Sequence, residues 1–161
     1  MSLRALFSFP DPVNDVSARI VAGGVVVLAA AVLASRQVWL LPVLAYGFVA
    51  RAAAGPTLSP LGLAATKLIT PRLGLPPRYS PGPAKRFAQA VGAAFSVSAA
   101  VLALDFGLHT AAFALVAVLG VFAFLEAAFG LCVGCKVFAL LIRAGVVPES
   151  VCRACANIWA R

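Results

Sequence analysis

Long apolar runs separated by short polar stretches dominate this chain. They cover about residues 18–35, 38–53, 87–105 and 109–130. Because a membrane-spanning helix needs about 20 predominantly apolar residues, each run is predicted as a transmembrane helix. The turns within the two pairs are short, which makes paired helices antiparallel neighbours. The pattern predicts an all-α integral membrane protein, a four-helix transmembrane bundle of two antiparallel hairpins in a single membrane domain, residues 1–161.

Composition supports this class and excludes an ordinary soluble domain. Hydrophobic residues make up 63% of the chain, charged residues 11%, and the mean hydropathy is +1.03. Soluble domains are roughly half apolar and a quarter charged.

Within the connection at residues 54–86, Ser59 and Pro60 are typical of a helix start, and we expect a short interfacial helix there.

The charge pattern predicts the orientation in the membrane. The net charge is +8, and the basic residues crowd the proline-rich loop 54–86 and the two ends of the chain. This is the positive-inside pattern, and it places both termini and the loop on the cytoplasmic side of the membrane. A cleaved signal peptide is disfavoured by Asp11 and Asp15. The charge is therefore a topology signal, and no nucleic-acid partner is expected.

Two matched dithiol motifs carry the candidate chemistry. All four cysteines of the chain lie in the C-terminal segment 131–161, as Cys132-Val-Gly-Cys135 and Cys152-Arg-Ala-Cys155. Cysteines at positions i and i+3 of a helix share a face, so each pair can be redox-active or can bind a metal. Their spacing also suits a four-thiolate zinc site.

Three interpretations of the four cysteines stay open. They can be catalytic in thiol-disulfide redox or sulfur transfer, they can form a structural zinc site in a non-catalytic membrane scaffold, or they can be inert buried residues. In a reducing cytoplasm a disulfide here would be transient. Zinc is the one cofactor suggested, and whether the protein is an enzyme is left open.

Glu126 is the one acidic residue inside a predicted span. A buried carboxylate is unfavourable without a partner, and Arg19 and Arg51 are expected at similar depth, so we predict a structural ion pair of Glu126 with one of them. The apolar stretch around Glu126 runs from Thr110 to Ile142, which is too long for one straight span. Gly130 and Gly134 offer a break or bend, and they also match the GxxxG packing motif.

Several segments resemble one known family over nearly the full length of the chain. They are FPDPVNDVSAR at residues 9–19, GPTLSPL at 55–61, KRFAQ at 85–89, EAAFGLCVGC at 126–135 and VPESVC at 147–152. In these segments the chain resembles the bacterial membrane proteins grouped as domain of unknown function 4395. The resemblance implies a protein of the bacterial inner membrane and leaves the activity open.

A second, weaker likeness is to the membrane segments that accompany rhodanese domains. Here the order of Phe129-Gly130-Leu131-Cys132, Leu140-Leu141, Gly145 and Cys152 is similar to theirs, although those segments have a lone cysteine in place of the first CxxC. This likeness suggests sulfur handling. The expected partners are membrane lipids, a thioredoxin-like or rhodanese-type soluble protein, and a second copy of the chain as a homo-oligomer.

Overall fold

The computed structural model of the chain describes residues 9–155, which are mostly helical. Its α-helices are α1 (Asp15–Ser35), α2 (Leu40–Ala54), α3 (Pro60–Leu63), α4 (Thr70–Leu73), α5 (Gly82–Leu104), α6 (His109–Phe129) and α7 (Val133–Arg143). A π-helical stretch, Ala64–Ile69, joins α3 to α4, and single 3-10 turns cover Gly55–Thr57 and Glu149–Val151. The outer ends of the predicted domain, residues 1–8 and 156–161, lie outside the described residues.

Three of these helices, α1, α5 and α6, are long and apolar enough to cross a membrane. Large apolar side chains on the outer surfaces of these helices are exposed, such as Val27 at 71% and Phe129 at 66%. Lipid tails would cover such side chains, whereas water would not solvate them favourably. The prediction of a helical protein with membrane-compatible helices is therefore confirmed.

Local sequence signals explain where the helices begin and end. The Asn14 side chain accepts the Val16 N–H at 3.0 Å and caps α1, and the Ser59 hydroxyl accepts the Gly62 N–H at 3.2 Å and caps α3. At the end of α6, Gly130 adopts a φ of +70°, a conformation that glycine reaches without steric penalty. The long apolar stretch from Thr110 to Ile142 is thus broken at Gly130.

The long helices pack around a shared apolar core. Helix α1 lies mainly against α6 and α2 mainly against α5, while α5 also contacts α6 and α7. The fully buried residues at the centre are small or medium-sized, which lets the helices approach closely. They include Val25, Ala29, Val32, Leu41, Leu44, Ala99, Ala112 and Val116.

A small antiparallel sheet, absent from the prediction, ties the first residues of α1 to those of α5. Strand β1 (Val13–Asn14) pairs with strand β2 (Tyr79–Ser80), and the Gly82 N–H donates to the Asp11 carboxylate at 2.9 Å. As a result α5 begins at Gly82 and not near Phe87, so its first turn belongs to the segment expected as loop 54–86. We call this part of the molecule the strand end of the bundle.

Candidate functional site

The structure brings both CxxC motifs into one buried group at the strand end. We call this group the cysteine cluster; its members are Ala84, Cys132, Cys135, Phe138, Ile142, Cys152 and Cys155. None of the four cysteines is more than 8% exposed. The ring of Phe138 packs on that of Phe87 with centroids 5.2 Å apart, which fastens α7 to α5. The two motifs are therefore neighbours in space despite their separation in sequence.

Two glycines set the position of the first motif. The break at Gly130 turns the chain out of α6, and Cys132 becomes the residue that caps α7. Gly134 then lies directly on α5: a Cβ added there would be 2.6 Å from the Cβ and 2.7 Å from the Cα of Ala88. Such contact distances are not tolerated between real atoms. Only a residue without a side chain lets the two cysteines lie so close to α5.

Cys132 and Cys135 are both reduced and touch each other. The Cys135 thiol lies 2.7 Å from the Cys132 sulfur and donates to it, and the Cys135 N–H donates to the same sulfur at 3.4 Å. Cys152 and Cys155, by contrast, are joined as a disulfide. The cysteine cluster thus contains a dithiol and a disulfide together.

The two thiols of the first motif differ in acidity. The hydrogen bond from Cys135 lowers the pKa of Cys132 below the usual thiol value, and this effect outweighs burial, which opposes it. The bond to Cys132 and burial both raise the pKa of Cys135 far above that value. Because the thiolate is the nucleophilic form of a cysteine, Cys132 is the more nucleophilic thiol of the pair at neutral pH and Cys135 the less nucleophilic one.

This asymmetry predicts an ordered alkylation of the dithiol. Rates follow the thiolate fraction, so a lowered pKa moves the rise in rate to lower pH and a raised pKa moves it to higher pH. In the detergent-solubilised protein we expect iodoacetamide to modify Cys132 first. The rate should be half-maximal at a pH below roughly 8.5, the pKa of a free cysteine. Mass spectrometry of singly modified protein measures this. First modification at Cys135 would contradict the assignment.

A buried ion-pair network lies next to the dithiol. The Lys85 ammonium, on the first turn of α5, contacts the Glu126 carboxylate at 2.6 Å and the Asp15 carboxylate at 3.0 Å. Its side chain is only 7% exposed. Glu126 is therefore paired, but with Lys85 and with neither of the expected arginines. The prediction placed Lys85 in a loop, whereas the helix that starts at Gly82 carries it inward.

The two arginines have other partners. Arg19 donates to the carbonyl oxygens of Ala127 and Ala128, which are left without helical partners at the end of α6. Arg51 donates to the Gln89 side chain at 2.9 Å and to the Ser59 hydroxyl at 3.2 Å, and its guanidinium lies over the Phe48 ring. Arg19 thus reaches the turn of α6 that follows Glu126, but it binds backbone oxygens there and not the carboxylate.

The cysteines do not form a metal site in this arrangement. Within residues 9–155, no group of three or more histidine, cysteine or acidic side chains is placed to hold a metal ion. The sulfurs of Cys152 and Cys155 are bonded to each other, and a zinc ligand must be a free thiolate. The four-cysteine zinc site remains a prediction that requires reduction and rearrangement of this pair.

A cavity of about 400 Å³ opens onto the dithiol. Its wall contains Cys132 and Cys135 of the first motif. It also contains Ala154, which lies between the two cysteines of the second motif. The lining also includes the charged and polar residues Asp15, Ser80, Lys85 and Lys136. Sequence reasoning missed Lys85 and Asp15 as site residues. The Gly82-Pro83 pair before Lys85 was a usable signal, because proline favours the first turn of a helix.

These features define a helical, membrane-compatible protein with a dithiol and a disulfide buried in one cluster beside a lysine. The family model described as Domain of unknown function (DUF4395) matches residues 13–143, and the chain belongs to this family. No curated protein and no solved structure matches the chain. The matched range includes Lys85, Glu126 and the first CxxC motif and ends before the second.

Proposed function

We propose that the protein is a membrane component for thiol-disulfide exchange, in which electrons pass between its two CxxC motifs. One observation carries the proposal: a reduced and an oxidised CxxC pair share one buried cluster, although 16 residues separate them in the sequence. Inert cysteines need no such arrangement. The acidic Cys132 thiol beside the disulfide supplies the nucleophile that exchange requires.

The exchange step conserves atoms and electrons within the chain. The Cys132 thiolate attacks one sulfur of the Cys152–Cys155 disulfide, a mixed disulfide forms, and the other sulfur leaves as a thiolate that takes up a proton. Cys135 then loses its proton and attacks the Cys132 sulfur, which releases the second sulfur. Two electrons move from the first motif to the second. The same steps in the reverse order return the two electrons to the first motif.

Trapping the mixed disulfide tests the proposal. In Cys135→Ser the resolving thiol is absent, while the serine hydroxyl can still donate to the Cys132 sulfur. We expect a disulfide from Cys132 to Cys152 or Cys155, at least about tenfold more abundant than the corresponding product in the matched variant Cys132→Ser, because burial still raises the pKa of the remaining Cys135 thiol there. Peptide mapping of protein alkylated in native membranes, without added oxidant, measures the two products.

Two outcomes of this experiment would overturn the proposal. If both variants contain only the Cys152–Cys155 disulfide, the motifs do not exchange electrons. If the purified wild-type protein contains one zinc ion per chain and its four cysteines resist alkylation until the metal is chelated, the structural zinc scaffold replaces the redox function.

We also propose that the chain crosses the membrane four times. The β1–β2 pairing and the Gly82 contact with Asp11 hold the starts of α1 and α5 at the same end. If α1 crosses the bilayer, the chain must return before α5 begins, and α2 is the helix available for that return. Its 15 residues extend only about 22 Å, less than the roughly 30 Å hydrocarbon core, so α2 would need local thinning of the bilayer or polar residues at its ends.

The strand end is proposed to face the cytoplasm of the bacterial cell. It includes the basic connection between α2 and α5, whose arginines and lysines favour the inner side of the membrane. The cysteine cluster would then lie in a reducing compartment, where a disulfide forms and breaks during turnover. For protein partners, a thioredoxin-like or rhodanese-type soluble protein remains the prediction, the latter if the transferred group is sulfur. Assembly as a homo-oligomer remains a prediction.

A further inference from the structure

The cavity next to the dithiol is the route by which a reactant from solution reaches the sulfur atoms. Cys132 and Cys135 are 8% and 6% exposed, so a reactant must enter the cavity to contact them. Because Ala154 also lines the cavity, a molecule inside it lies beside the second motif as well. Thiol exchange proceeds by attack on a sulfur that the thiolate can touch. The shape of the cavity therefore selects the substrate.

The size of the cavity favours a small molecule. Its volume of about 400 Å³ lies within the roughly 300–1,000 Å³ of small-molecule sites. One half of a low-molecular-weight disulfide fits this space. A cysteine on the surface of a folded protein would instead need a protruding segment to enter the cavity and reach a thiol that is more than nine-tenths buried.

The charge around the cavity favours an anion. Lys136 is part of the wall. Arg153 is exposed and precedes the lining residue Ala154. The Arg19 side chain lies about 4 Å from the position that a Cβ at the lining residue Gly130 would occupy. The charge of Lys85 is more than offset by its two carboxylate partners, so this group carries one net negative charge. The rim is consequently more cationic than the interior, which attracts anionic reactants.

We infer that the substrate of this cavity is a low-molecular-weight anionic disulfide, an inference that rests on the proposed exchange function. The Cys132 thiolate attacks one sulfur of the small disulfide, so that a protein–substrate S–S bond forms and one small thiolate leaves and is protonated. Cys135 loses its proton and displaces the second small thiol. The small disulfide is reduced by two electrons and the Cys132–Cys135 dithiol is oxidised.

The test uses the full-length protein with Cys152→Ser and Cys155→Ser, so that only the first motif reacts. Oxidised glutathione serves as the anionic probe and cystamine as the cationic one, each rate being divided by the rate of the same disulfide with 2-mercaptoethanol, a reference thiol without a charged group. We expect the normalised rate for oxidised glutathione to exceed that for cystamine by about tenfold at low salt and by less as salt rises. In Lys136→Glu the ratio should fall about three- to tenfold, whereas the exposed-site control Lys67→Glu should leave it unchanged.

Two results would overturn the inference. One is an equal or higher normalised rate for cystamine. The other is a faster reaction with the disulfide of a thioredoxin-like protein than with oxidised glutathione, which would assign a protein substrate. The relay between motifs is judged separately: a missing mixed disulfide in Cys135→Ser with an intact preference for the anion removes the relay and leaves this site.

Discussion

Replacing Lys85 with methionine is expected to destabilise the detergent-solubilised protein by about 3–5 kcal/mol, because it leaves two carboxylates without their cation. Lys85 is the shared partner of Asp15 on α1 and Glu126 on α6, and its own side chain is 7% exposed. The ammonium thus joins three helices at the strand end. Thermal unfolding followed by circular dichroism measures the loss, and Lys67→Met, on an exposed lysine, is the matched control.

Neutralising the partners should recover part of this stability. In Lys85→Met combined with Asp15→Asn and Glu126→Gln, no unpaired charge remains, so we expect a smaller loss than in the single variant. Glu126→Ala alone should also destabilise the protein, since it removes the shorter of the two contacts of Lys85. A melting temperature for Lys85→Met equal to that of Lys67→Met would mean that both carboxylates are solvated and that the network has no structural role.

The helices could be predicted because lipid and core both select apolar residues, so an apolar run indicates a span whichever way its side chains point. The strands could not: β1 and β2 have two residues each and form only because the two segments meet. Glu126 was identified as needing a partner, but the choice of Lys85 over Arg19 or Arg51 depends on tertiary contact between α5 and α6. Sequence spacing has no information about that contact.

The cysteines, too, could be predicted from the sequence only in part. Their spacing singled out both motifs, yet identical CxxC patterns gave no basis for expecting a dithiol in one and a disulfide in the other. The GxxxG pattern likewise marked Gly130 and Gly134 as equivalent. In the structure they differ, because Gly130 supplies a positive φ and Gly134 a close helix contact. Roles of this kind depend on which backbone lies opposite, and a single sequence does not specify it.

Gly134→Ala is expected to abolish the mixed disulfide trapped in the Cys135→Ser background and to destabilise the protein by about 1–3 kcal/mol. The added Cβ would lie 2.7 Å from the Cα of Ala88, so the backbone of α7 must move away from α5. Gly134 lies between the two cysteines of the first motif, and the dithiol would move with it. Peptide mapping and thermal unfolding measure the two effects.

Two further variants separate this packing effect from a general effect of alanine in a helix. Gly23→Ala on α1 is the matched control, because a Cβ there meets nothing within 4 Å, and alanine favours a helix by up to about 1 kcal/mol over glycine. Ala88→Gly combined with Gly134→Ala removes the Cβ–Cβ contact at 2.6 Å and should restore part of both the stability and the trapped disulfide. If Gly134→Ala keeps the full yield of mixed disulfide, the close approach of α7 to α5 is not what positions Cys132 for exchange.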